Sequence, residues 1–219
     1  MQYILVNNGQ VIWGPSSWNR NVFQSEIQQE LNIVAVLPQS KFDNDPINIG
    51  SSAKIMAAIE RARPSYHPLS ETLTGPFWNF SSDVAEYWFE VSELPLEAAK
   101  PNYKAHIANA RWNRERSGTT VAISGTNVGV STKREDRDQW AILYALGNDK
   151  AWKFSEGWID LTKEDFKTIA DAVHTHVQDA YDNERRLLGL VDQATTHQDL
   201  QDVEQDPVLV EWNTTDVQL

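Results

Sequence analysis

Residues 166–191, FKTIADAVHTHVQDAYDNERRLLGLV, decide how the C-terminal half of the chain is organised. Phe166, Ala170, Val173, Val177, Ala180, Leu187 and Val191 follow one another in steps of three and four, and only Glu184 interrupts the seam. That period puts them on one face of a long amphipathic helix, with a pattern suited to a coiled coil or a bundle core. Thr162 followed by Asp165 supplies a helix start, since a threonine N-cap accepts from the first free backbone N–H groups. The same helix decides the histidine pair. His174 and His176 are two positions apart, a rotation of roughly 200° about the axis, so they cannot share one metal ion. Helical metal pairs use spacings of three or four. His176 borders the apolar seam and is read as a partly buried histidine with a hydrogen-bond partner, whereas His174 points to solvent.

Working outward, residues 119–132, TTVAISGTNVGVST, predict a hairpin whose turn holds Gly125 and Asn127, and AWKF with GWIDL predicts a second. Between them Thr132 and Glu135 suggest a capping box opening a helix that stops at Gly147 and Asn148. Residues 94–116, LPLEAAKPNYKAHIANARWNRER, have helical composition, with Pro101 expected in the first turn or at a kink. Thr195 or Thr196 caps a last short helix, and the closing residues form a tail with a brief strand-like core.

The N-terminal half is β-rich. YILVNNGQVIWG reads as two strands around a tight turn, because Asn and Gly tolerate the positive φ it requires. Gly14-Pro15 is expected to end the pair. A helix from Trp18 to Leu31 and a strand from Ile33 to Pro38 would complete a β-β-α-β unit. A polar, turn-rich stretch follows, and FWNF with VAEYWFEV suits paired strands. Residues 53–63, AKIMAAIERAR, have the composition of a helix.

The net charge of −12 opposes phosphate backbones, and no compact lysine or arginine stripe stands out in the sequence, so no nucleic-acid partner is expected. No apolar run is long enough to span a bilayer, and MQYILVNNGQ lacks the features of a secretion signal, which reads as a chain without membrane insertion. The absence of cysteine removes disulfides, thiolate ligands and cysteine nucleophiles. GTNVG lacks the Gly-Lys-Ser/Thr of a phosphate loop, no nucleophile elbow is present, and acidic pairs such as Glu164 with Asp165 or Asp136 with Asp138 have no spacing that sets them across a cleft. The sequence therefore points to no catalytic residue, metal site or cofactor, and the protein is read as non-enzymatic. The nine tryptophans are dispersed. Trp13, Trp18 and Trp212 are either interface anchors or parts of their own modules' cores.

Residues 152–187 resemble the signature of a bacteriophage family, the domain of unknown function 4376, found at the C-terminus of tail and tail-fibre proteins. The resemblance lies at Trp152, Lys153, Gly157, Trp158, Leu161, Phe166, Ala172, Val173, His176, Val177, Gln178 and Glu184. IANARWNRERSG and STKREDRDQ are similar to its opening segments, so it spans about residues 104–204. A second block, RPSYHPLSETLTGPFW with YWFEVSELPLEAAK, is similar to a module that precedes this domain in tail-associated proteins, where the equivalent of KIMAAIERAR is a strand. The strand is adopted here, since the aromatic strands that follow need a pairing partner. Trp152, Gly157, Trp158, His176 and Glu184 are signature residues without assigned chemistry.

The expected fold is α+β: β-rich modules over 1–40 and 41–96, a connecting helix over 97–118, a C-terminal α+β domain of hairpins and the long amphipathic helix over 119–205, and a tail over 206–219. The resemblance implies a structural component of a phage tail, in the baseplate, tail fibre or fibre-attachment region, made in the host cytoplasm and carried in the virion. Its partners would be other tail proteins, as a homo-oligomer or in multiple copies. A tail-fibre assembly chaperone and an adhesin for a host surface glycan are the alternatives.

Overall fold

The computed structural model describes residues 1–40, 45–81, 83–147 and 149–214. It is a mixed α+β structure that divides into two compact units, Met1–Glu93 and Leu94–Leu219.

The first unit is one sheet with a helix. Its strands are β1 (Gln2–Asn7), β2 (Gln10–Ser17), β3 (Ile47–Ile49), β4 (Ala53–Glu60), β5 (Glu71–Phe80) and β6 (Val84–Glu93), and α1 (Arg20–Leu31) follows β2. The strand order is β2-β1-β4-β6-β5, with β3 also on β4. Among the described residues, only β4 and β6 pair in parallel. The turn joining β1 to β2 falls at Asn8-Gly9, both with positive φ, as the sequence predicts. β1 and β4 are buried on both faces. Tyr3, Leu5, Ile55 and Ala57 pack with Phe23 and Ile27 of α1, while Ile4, Val6, Met56 and Ala58 pack with Ala85 and Tyr87. Residues 53–60 are thus a strand despite their helical propensity: a central position with two apolar faces to fill outweighs a few tenths of a kcal/mol per residue. Strands from residues 1–40 and from 41–96 join one sheet through the β1–β4 pairing.

Two details differ from expectation. Residues 33–38 form no strand; Leu37 is buried, but Val34 and Val36 are 86% and 91% exposed. This segment is held by side chains instead, with Gln24 Nε2 donating to Ala35 O (3.0 Å) and Trp18 Nε1 to the adjoining Gln39 O (3.3 Å). Gly14-Pro15 does not end β2, which continues to Ser17 through a register shift. Gly75-Pro76 does the same in β5. Both are outermost strands, where a proline without an N–H is tolerated. Of the two readings open for Trp13 and Trp18, the core one holds: both are half-buried around Phe23, with ring centroids at 4.6 and 5.1 Å.

The second unit contains α2 (Leu96–Arg116), β7 (Thr119–Ile123), β8 (Thr126–Val130), α3 (Arg134–Leu146), β9 (Lys150–Phe154), β10 (Gly157–Leu161), α4 (Lys163–Gln193), α5 (His197–Glu204) and α6 (Pro207–Thr214). Pro101 sits in the second turn of α2, inside the helix, instead of its first. The two hairpins contribute Val121, Ile123, Val128, Val130, Phe154 and Leu161 to a core closed by Trp140 of α3 and by Phe166, Ile169 and Val173 of α4. Further along, α4 packs against α2, and α5 and α6 pack beside this pair. The seam of α4 is therefore occupied within the chain. Its capping box forms as predicted, with Thr162 accepting from Asp165 N and Asp165 from Thr162 N. Thr196 and Asp199 form a second one for α5.

Here too some expectations fail. The β7–β8 turn is Ser124-Gly125, both at positive φ, and Asn127 lies in β8. The predicted box at Thr132 and Glu135 does not form; the N-cap of α3 is Lys133, and Thr132 is engaged elsewhere. Gly147 ends α3 in the left-handed conformation as predicted, while Asn148 lies outside the described residues. The expected strand-like stretch of the tail is the helix α6: Pro207 opens it, Asp206 Oδ1 accepts from Val208 N (3.0 Å), and Leu209 and Trp212 are buried three residues apart. The final tail residues, 215–219, lie outside the described residues.

Candidate functional site

The last turn of α2 is where most of the polar structure of the second unit converges. A helix leaves its last carbonyls without intrahelical partners. In α2 they are met from two other segments. His176 Nε2–H, on α4, donates to Arg114 O (2.8 Å), and Thr132 Oγ1 donates to Glu115 O (2.6 Å) while accepting from Gly118 N (3.0 Å). His176 is thus a C-capping residue, and the hydrogen bond to a carbonyl requires the proton on Nε2. Burial, opposed by that hydrogen bond, holds its imidazole below the ordinary histidine value.

Beside these caps lies a buried carboxylate. Glu115 is fully inaccessible, and it accepts from Arg111 one turn earlier on α2 and from Arg137 Nη2 of α3 (2.6 Å). Arg111 Nε also donates to Glu184 (3.2 Å), the residue that interrupts the apolar seam of α4, and its guanidinium lies over Tyr181 at 4.7 Å. Glu184 therefore faces the core because a cation meets it there. Burial pushes the Glu115 carboxyl up, but the hydrogen bond and charge of Arg137 and the charge of Arg111 outweigh it and hold it below the ordinary carboxylate value. A carboxylate so saturated with guanidinium donors is a structural anion and not a proton acceptor for chemistry.

The signature residues fall into two groups. His176 and Glu184 both serve the α2–α4 contact. Trp152, Gly157 and Trp158 belong to the β9–β10 hairpin. Trp152 packs inward with its ring 5.0 Å from Trp140. Gly157 opens β10 at φ +133°, a conformation L side chains rarely adopt. Trp158 points the other way and is 71% exposed. Among the described residues no group of three or more His, Asp or Glu side chains is placed to hold a metal ion, and no helix is long and apolar enough to cross a membrane.

Sequence reasoning missed one constellation. Trp112, 37% exposed on α2, has the guanidinium groups of Arg111, Arg116 and Arg134 at 5.8, 5.2 and 5.4 Å from its ring. Five arginines, the other two being Arg114 and Arg137, gather at the end of α2 and the start of α3. In the sequence they fall in two short stretches, 111–116 and 134–137, divided by the β7–β8 hairpin, so their grouping is not visible there.

An α+β unit in which α2, α3 and α4 are tied through one buried carboxylate and its arginines, with two hairpins packed on an apolar core beside α3 and α4, is what the second half of the chain defines. Residues 98–206 form a domain of the family described as Domain of unknown function (DUF4376). The matched segment begins inside α2 and ends before α6, close to the span of about 104–204 given by the resemblance but short of the C-terminal position that the resemblance implies. Neither the curated proteins nor the solved structures compared with the chain contain a match.

Proposed function

We propose that the protein is a structural component of a bacteriophage tail, in the baseplate, fibre or fibre-attachment region, which works through protein–protein contacts in multiple copies. Support comes first from the resemblance of residues 152–187 to a signature found in tail and tail-fibre proteins, lying within a DUF4376 domain. The observation that carries the reading is the division of labour among the signature residues. Trp152, His176 and Glu184 are spent on internal packing, capping and ion pairing, whereas Trp158 presents a bare indole on the outer face of a short hairpin. Large exposed aromatics of this kind are the side chains that dominate association energy when a partner covers them. On this reading the chain is made in the host cytoplasm and built into the virion.

Quantitative mass spectrometry of purified virions tests it. A fixed ratio to the major tail proteins is the expected result. Absence from particles despite expression in infected cells would replace the reading with an assembly chaperone, and saturable binding on a glycan array would favour an adhesin.

A further inference from the structure

We propose that the end of α2 and the start of α3 form a docking site for an acidic linear segment of a different protein, with Trp112 as its floor and Arg116 and Arg134 as its anion clamps. The inference starts from how the local charges are used. Arg111 and Arg137 are consumed by Glu115 and Glu184, and Arg114 reaches Glu211 at 3.4 Å. Arg134 approaches Glu115 only to 4.0 Å, and its side chain is 66% exposed. Among the described residues, Arg116 has no carboxylate within ion-pair distance. Glu135 and Asp136 follow Arg134 along α3, yet neither is in ion-pair contact with it. Two cations are therefore left over, and both lie over the same partly exposed indole.

That surplus is unusual in this chain. With a net charge of −12, two guanidinium groups without a close carboxylate over one indole run against the overall field. Guanidinium groups are planar forks suited to carboxylates, and an indole between them offers an apolar surface for the hydrocarbon part of the same residue or its neighbour. The net negative charge disfavours nucleic acid at long range, and it equally disfavours a second copy of the chain. A short acidic segment of a separate protein carries fewer negative charges than either, so it meets less of that penalty while matching the two guanidinium groups. The site would serve a tail component and an assembly factor alike, so it stands independently of the tail reading.

The test uses the full chain and a fluorescein-labelled Glu-Leu-Glu-Glu-Leu-Glu peptide, followed by fluorescence anisotropy. Saturable binding is expected, weakening as salt is raised, with no binding of the peptide in which every Glu is replaced by Gln. The double variant Arg116→Gln/Arg134→Gln should bind about tenfold or more weakly, as loss of two partly exposed ion pairs implies. Trp112→Ala should also weaken binding. The double variant should keep the circular dichroism and melting temperature of the parent, because neither arginine holds a short ion pair to the framework. Equal affinity of the parent and the double variant, equal binding of the Gln peptide, or no saturable binding would overturn the proposal. A single-stranded oligonucleotide binding in place of the peptide, or a dimer of the parent lost in the double variant, would overturn it in favour of nucleic acid or self-association.

Discussion

Replacing Glu115 by Gln is the perturbation that most directly probes the second unit. The side chain is fully buried, so the substitution keeps its shape and one acceptor but removes the charge that neutralises Arg137 and shares Arg111. Breaking a buried ion pair by removing one partner costs about 3–5 kcal/mol, since the remaining charge is left without compensation. Arg111 keeps Glu184 at 3.2 Å, which leaves Arg137 as the main orphan and places the expected loss near the lower end, about 3 kcal/mol. For a unit of this size that corresponds to a fall in Tm of about 10 °C. Thermal and urea unfolding followed by near-ultraviolet circular dichroism would measure it. Because the pair is buried, 1 M salt should leave most of the difference in place. The double variant Glu115→Gln/Arg137→Met should be more stable than Glu115→Gln alone, because the orphaned cation is then gone. A loss under about 0.5 kcal/mol for the single variant, the range of ordinary surface changes, would refute the reasoning.

Three further outcomes follow from the geometry. Gly14→Ala and Gly75→Ala should each destabilise the first unit by about 1–3 kcal/mol in urea unfolding, since both glycines have positive φ and an added Cβ would stand 2.7 Å from Tyr3 O or 2.9 Å from Trp88 O; wild-type stability would show that the strands can shift apart. His176 has a folded pKa below its unfolded value, so its contribution is fully present above about pH 6.5 and is lost as pH falls through the folded pKa. Tm measured from pH 8 to 5.5 should therefore decline, and His176→Gln should flatten that decline, an unchanged slope counting against the capping role. Trp158→Ala should leave Tm within about 1 °C while reducing incorporation into virions; an unaltered particle content would remove Trp158 from the interface.

Local periodicity made much of this structure legible. The three-and-four spacing from Phe166 to Val191 located α4, and Thr162 with Asp165 marked its start, because both depend on residues within a turn or two of each other. Asn8-Gly9 and Gly147 were legible for the same reason. What escaped depends on partners far along the chain. Ala53–Glu60 is a strand only because β1 and β6 flank it, and its resemblance to a known module, not its composition, indicated this. Thr132 looked like an N-cap by its spacing to Glu135, but the end of α2 competes for its hydroxyl and wins. Residues 33–38 have strand composition, but side chains of Trp18 and Gln24, not a ladder, hold that segment. The arginine cluster was not legible because its members lie on two helices separated in sequence by the β7–β8 hairpin, and only the fold sets them around one indole and one carboxylate.

The stabilising knot and the proposed docking site are two results of one arrangement. Burying Glu115 requires cations from both α2 and α3, and the two helix ends that deliver Arg111 and Arg137 also carry Arg116 and Arg134. The inner pair is consumed, and the outer pair emerges beside Trp112. Because the outer arginines do not hold the helices together, their loss should separate binding from folding. Loss of Glu115 should not, since it frees the inner cations and loosens the helix ends that present the outer ones. Peptide affinity in Glu115→Gln should therefore fall in step with its stability, whereas in Arg116→Gln/Arg134→Gln it should fall at constant stability. Only a site built on the scaffold's own helix ends gives both behaviours.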